Sequence, residues 1–143
     1  MNATLSNPSL TTAERLSAAS GVMVLAAGSA VVWYFDPTTY RFFPPCPLFS
    51  LTGFACPGCG MTRGFHALFH GDIMAAIDYN ALIPVFVLIF AGALITLASV
   101  AIRGKGLMRI EAAPKLIIGL FVLMVVFGVV RNLPYYPFSV LYP

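Results

Sequence analysis

Leu16-Ser17-Ala18-Ala19-Ser20-Gly21-Val22-Met23-Val24-Leu25-Ala26-Ala27-Gly28-Ser29-Ala30-Val31-Val32-Trp33-Tyr34-Phe35 is a run of twenty residues without a charge. As a helix it extends about 30 Å, the thickness of a bilayer's hydrocarbon core. A first transmembrane helix is therefore predicted over residues 16–35. Gly28-Ser29-Ala30 has the small residues of a signal-peptide cleavage site, but the apolar run continues through Val31, Val32 and Trp33, so a retained helix is expected. Composition agrees. The chain of 143 residues is 59% hydrophobic and only 9% charged, far outside the range of soluble globular domains. The expected fold is an all-α membrane protein, a single membrane domain over residues 1–143.

On the N-terminal side of this run, residues 1–14 are polar, with a helix start expected at Thr11 or Thr12. On the other side, Asp36-Pro37 stops the helix, because Pro37 disfavours helical geometry at Asp36. Tyr40, Phe42 and Phe43 beside Pro44 and Pro45 suit the headgroup zone. A bent or interfacial turn is expected over 73–80, where Asp78 and Asn80 read as capping groups. A second span follows over about 81–102 and a third over about 116–133, opened by Pro114 and closed near Pro134. The connector between them carries Arg103, Lys105, Arg109 and Lys115, against Arg41 and Arg63 in the first loop. By the positive-inside bias the connector and the N-terminus are expected inside and the cysteine loop outside. Trp33, Tyr34, Tyr79, Tyr135 and Tyr136 would then form an outer aromatic belt. Eight basic and five acidic residues give a net charge of +3, too little and too scattered for a nucleic-acid surface. The spans offer no polar path, so transport is not expected.

Residues 44–72, between the first two spans, hold all three cysteines and both histidines. In Cys56-Pro57-Gly58-Cys59-Gly60 the proline suits a first helical position. Cys56 is then expected as the N-cap and Cys59 in the first turn, where the helix dipole favours a thiolate. Gly71 would close this helix and Asp72 would cap the next. Cys59, Arg63, His66 and His70 share one stripe and Met61, Phe65 and Leu68 another, which predicts a short amphipathic helix at the outer interface. Cys46 can fold back across Leu51-Thr52-Gly53 to meet Cys56.

Four chemistries fit these residues. Cys46, Cys56, Cys59 and His66 would close a tetrahedral zinc shell of three thiolates and an imidazole. Alternatively, Cys56 and Cys59 form a structural or redox-active disulfide, with Cys46 as the resolving or leftover thiol. The cysteines could instead be small apolar packing residues beneath the loop. A nucleophilic cysteine with His66 or His70 as base is the fourth reading, without a legible third orienting group. Arg63, His70 and Asp72 are expected as polar support, Arg63 by snorkelling or by pairing with Asp72 or Asp78. Arg131, at the outer end of the third span, is expected to snorkel outward or to meet Asp36.

Cys46-Pro47, Leu51-Thr52-Gly53, Cys56-Pro57-Gly58-Cys59-Gly60, Thr62-Arg63, His70-Gly71-Asp72 and Asn80 together resemble a family of small bacterial membrane proteins known as domain of unknown function 2752. The likeness covers residues 46–84 closely and the third span loosely. One departure is Ala81, where the family commonly carries proline. The resemblance implies a multi-helix protein of the bacterial cytoplasmic membrane, without an agreed activity. The function expected is a non-enzymatic accessory or scaffolding subunit of a larger membrane complex, partnered by the lipid bilayer and other membrane subunits, with its loop held by metal or disulfide. The alternative is a thiol-disulfide or metal-handling protein that works through Cys56 and Cys59.

Overall fold

The structure, a computed structural model, describes residues 11–40, 42–105 and 113–135. These residues form six helices and no strand: α1 (Thr12–Tyr34), α2 (Pro47–Thr52), α3 (Met61–Phe69), α4 (Ile73–Tyr79), α5 (Ile83–Arg103) and α6 (Ala113–Val130). Arg41, Arg109 and Tyr136, all part of the topology reading, lie outside the described residues.

The α1 helix begins where its capping signal stands. The Thr11 side chain accepts from the Glu14 N–H, and the Glu14 carboxylate accepts from the Thr11 N–H at 2.7 Å, a reciprocal capping box. It ends before Asp36-Pro37, where the Asp36 carboxylate accepts from the Thr38 N–H at 2.8 Å and ties the turn. The aromatic segment beyond folds onto Phe35, whose ring meets Tyr40 and Phe42 edge-on at 5.1 and 5.4 Å.

Two helices, α1 and α5, are long and apolar enough to cross a membrane. They run antiparallel. Arg15 in the first turn of α1 donates through Nε and Nη2 to the Ala101 carbonyl, both at 3.1 Å, and through Nη2 to Ile102 at 3.0 Å, closing the C-terminal end of α5. Leu97 of α5 covers Gly21 of α1 so closely that a Cβ there would stand 3.3 Å from Leu97 Cδ1.

The third expected span is corrected. Its apolar stretch, Pro114–Val130, is short of the length that α1 and α5 reach. The helix stops at Val130 rather than 133, because Arg131 and Asn132 turn aside to bond the cysteine loop. Residues 73–80, expected as a bent or interfacial turn, instead form α4 over Ile73–Tyr79 with Asn80 as its C-cap. The Asp72 side chain caps it by accepting from the Ala75 N–H at 2.9 Å, and Gly71 makes the left-handed turn before it with φ +84°. Close packing joins α3, α4 and α5 at Gly64, where a Cβ would lie 2.8 Å from Ile83 Cδ1 and 3.0 Å from the Ala76 carbonyl oxygen. On its apolar side α3 places Met61, Phe65 and Leu68 in a groove shared with Val32 of α1 and Phe90 of α5.

Candidate functional site

The cysteine loop contains a helix with proline in its first position, but one cysteine earlier than expected. Pro47 opens α2 and Cys46 is its N-cap, while Gly53, at φ +75°, ends it. Cys56 is not a helix cap. Residues 57–60 form a tight corner in which the Cys59 N–H donates to the Cys56 carbonyl and the Met61 N–H to the Gly58 carbonyl, each at 3.0 Å. Only at Met61 does α3 begin, after Gly60 in the left-handed region at φ +82°. Glycine is required there twice over: the conformation disfavours a side chain, and a Cβ would collide with the Tyr79 carbonyl.

Three side chains from distant parts of the chain hold this corner by its backbone. Asn80, buried between α4 and α5, donates through Nδ2 to the carbonyls of Pro57 (2.8 Å) and Cys59 (3.0 Å). Its Oδ1 accepts from the Leu82 N–H at 2.9 Å. Arg131, fully buried, donates through Nη1 to the carbonyls of Cys56 (2.9 Å) and Cys59 (3.2 Å), with its guanidinium 5.1 Å from the Phe127 ring centroid. Asn132 pairs with Ala55 in both directions, Oδ1 accepting from its N–H and Nδ2 donating to its carbonyl, each at 2.8 Å. Against the same corner, Gly128 leaves room for the Pro57 ring, since a Cβ there would lie 3.1 Å from Pro57 Cγ. The carbonyls of Pro57 and Cys59 are thus taken by side chains, and that of Cys56 is shared between Arg131 and the Cys59 N–H. That is why the segment bends instead of continuing α3 backward.

The outcome is that Cys46 folds back as expected. The sulfurs of Cys46, Cys56 and Cys59 all lie within 4.8 Å of one another. Cys56 and Cys59 are unbonded thiols 3.3 Å apart at their sulfurs, and the Cys56 N–H donates to the Cys59 sulfur at 3.2 Å. Their environments differ. The Phe49 backbone amide at the start of α2, then the Cys56 thiol, bring the Cys46 thiol down to about 7. Burial, then the neighbouring Cys56 and Cys46 sulfurs, push the Cys59 thiol up to about 12.

The donor set suits a thiophilic cation. Ideal tetrahedral zinc–thiolate geometry, with Zn–S near 2.3 Å, separates sulfurs by about 3.8 Å, inside the spread found here. Charge agrees as well. Three thiolates around a divalent ion leave one negative charge, and the Arg131 guanidinium lies within electrostatic reach of all three sulfurs.

His66 is not brought to the sulfurs. It sits at α1, with Nδ1 2.7 Å from the Val32 carbonyl oxygen. His70 lies beside it, the ring centroids 4.3 Å apart, and Asp72 serves as the α4 cap. Arg63 is exposed and, among the described residues, pairs with neither Asp72 nor Asp78. Arg131 meets backbone carbonyls of the corner rather than snorkelling or reaching Asp36. Asn132 carried no sequence signal at all, since an asparagine just after a span reads as an ordinary helix stop.

Residues 46–94 match the family described as Protein of unknown function (DUF2752). The likeness read from the cysteine motif is thus shown over that segment, which runs from the N-cap of α2 into the middle of α5. No curated protein and no solved structure matches the chain.

Proposed function

We propose that this chain is a multi-pass protein of the bacterial cytoplasmic membrane. The spans are α1 and α5, with the N-terminus inside and the cysteine corner outside. In this reading the corner is a structural metal centre, held by the thiolates of Cys46, Cys56 and Cys59 and suited to zinc. Its work is to lock α2, α3 and the end of α6 into one rigid outer cap, which an accessory or scaffolding subunit presents to other subunits of a membrane complex. The observation that carries this reading is the gathering of three sulfurs on a corner whose backbone is clamped by Asn80, Arg131 and Asn132. A centre so deeply tied into helix ends couples ion binding to folding. His66 is not the fourth ligand in this proposal; water or a partner's side chain completes the shell.

The test is metal analysis of the protein purified in mild detergent, together with its co-purifying subunits. One thiophilic ion per chain is expected, lost in Cys56→Ser/Cys59→Ser along with the protein's abundance and its partner's assembly. Stoichiometric free thiols without metal overturn it.

A second reading has its own observation. A Cys46 thiol held near 7 beside a Cys59 thiol pushed up to about 12 is the asymmetry of an attacking and a waiting sulfur in thiol-disulfide exchange. Under that reading the double serine variant still assembles and loses only turnover.

A further inference from the structure

The α3 helix carries a second pair of donors that the cysteine corner does not use. His66 and His70 stand one turn apart, with ring centroids 4.3 Å apart. His66 Nδ1 lies 2.7 Å from the Val32 carbonyl oxygen of α1, and His70 Nδ1 lies 2.8 Å from the His66 carbonyl oxygen. A carbonyl oxygen can only accept, so each Nδ1 must carry the hydrogen and donate it. In the neutral ring that leaves a bare lone pair on each Nε2. Metal-bound imidazoles are held in this way, one nitrogen anchored on a carbonyl and the other turned to the ion.

The surroundings favour a cation independently of the rings. Val32 lies in the last turn of α1 and His70 is the C-cap of α3, so two helix ends bearing partial negative charge converge here. The Asp36 carboxylate lies within electrostatic reach of His66. Trp33 lies nearly parallel to His70, centroids 6.2 Å apart and planes 11° from parallel, on top of the Nδ1 contact that orients that ring. His70 is exposed and His66 partly so, leaving the pair open at the protein surface.

We propose that His66 and His70 form a site for a divalent transition-metal ion, bound through both Nε2 atoms and separate from the three-cysteine centre. Two imidazoles select the zinc, copper, nickel and cobalt class over calcium or magnesium. Water completes the shell in the isolated chain. The proposal does not rest on the thiolate reading.

The experiment is a titration of cobalt(II) into the full chain in detergent, with metal stripped and thiols reduced. Two classes of bound ion are expected, one with thiolate-to-cobalt charge-transfer absorption and a weaker one without it. His70→Ala weakens the second class at least about tenfold and leaves the sulfur absorption unchanged, with an unaltered melting temperature as the check on folding. His66→Asn, whose side-chain amide can still donate to the Val32 carbonyl, weakens it likewise. Saturation of the wild-type protein by the sulfur class alone overturns the proposal, as does wild-type affinity in both variants. A histidine class that persists where the sulfur absorption is missing upholds it and sinks the thiolate centre instead.

Discussion

Asn80 and Arg131 donate to the same acceptor, the carbonyl oxygen of Cys59, at 3.0 and 3.2 Å. One comes from the junction of α4 and α5 and the other from the end of α6, so a single peptide group joins three parts of the chain. Both donors are buried, and a carbonyl deprived of them has no water to turn to.

Asn80→Asp should therefore destabilise the protein by roughly 3 kcal/mol at neutral pH. A carboxylate cannot donate to Pro57 or Cys59, and it places a negative charge against two carbonyl oxygens. Protonation restores one donor, so the introduced group has a raised folded-state pKa. Its defect should shrink as pH falls, which thermal melting in detergent at a series of pH values will read. A defect that grows with acid would refute the assignment of Nδ2 as the donor.

Arg131→Lys keeps the charge but replaces a planar fork with a single ammonium group, which cannot reach both carbonyls and stack on Phe127 as well. A loss of about 2 kcal/mol is expected, with Arg131→Met costing more. Both variants should expose Cys59 to alkylation under conditions where the wild type protects it. Equal melting temperatures for Lys and Arg would mean that only charge matters at this position.

Gly60 and Gly53 share a left-handed backbone but not their surroundings. Around Gly53 a Cβ meets nothing within 4 Å, so Gly53→Ala costs only the conformational penalty of about 1 kcal/mol. At Gly60 the Tyr79 carbonyl occupies the place of the Cβ, and backbone must move. Gly60→Ala should fail to accumulate in membranes while Gly53→Ala accumulates almost normally. Immunoblots of membrane fractions separate the two, and similar levels would contradict the packing.

Cys46 and Cys59 of the metal-free protein should titrate far apart. Cys46 lies near 7, below its ordinary 9.0, so its contribution to stability is complete above pH 9 and fades as pH falls through 7. Cys59 lies near 12, above the same 9.0, so its contribution is complete below pH 9 and is lost as pH rises through 12. Stability should thus rise from pH 7 toward 9 and fall beyond it. Mass spectrometry after brief alkylation should find Cys46 modified before Cys59, with a midpoint near pH 7. The reverse order would show that the corner is assembled differently.

What the sequence disclosed followed from local rules. Thr11 with Glu14 announces a capping box, Asp72 a helix start and Gly71 a left-handed turn, because each depends on residues a few positions away. The return of Cys46 to Cys56 was legible because a short, glycine-ended segment leaves few other paths. Placing Cys56 as a helix cap failed for a nonlocal reason. Proline tolerates a turn as well as a first helical position, and the N–H donors that residues 80 and 131 bring to the corner's carbonyls decided between them. The destination of Arg131 was hidden in the same way. A side chain that seeks backbone carbonyls leaves no matching acid in the sequence to point to its partner. The spacing of His66 and His70 was visible, but the Val32 carbonyl that turns His66 away from the sulfurs was not.

The clamp also has a schedule. Arg131 is made seventy-five residues after Cys56, its acceptor in the corner. At a synthesis rate of about 5–20 residues per second, the Cys56 thiol waits roughly 4–15 seconds before its Arg131 clamp exists. Through that interval the nascent loop is open to oxidants and stray ions, so maturation favours whichever of them arrives first.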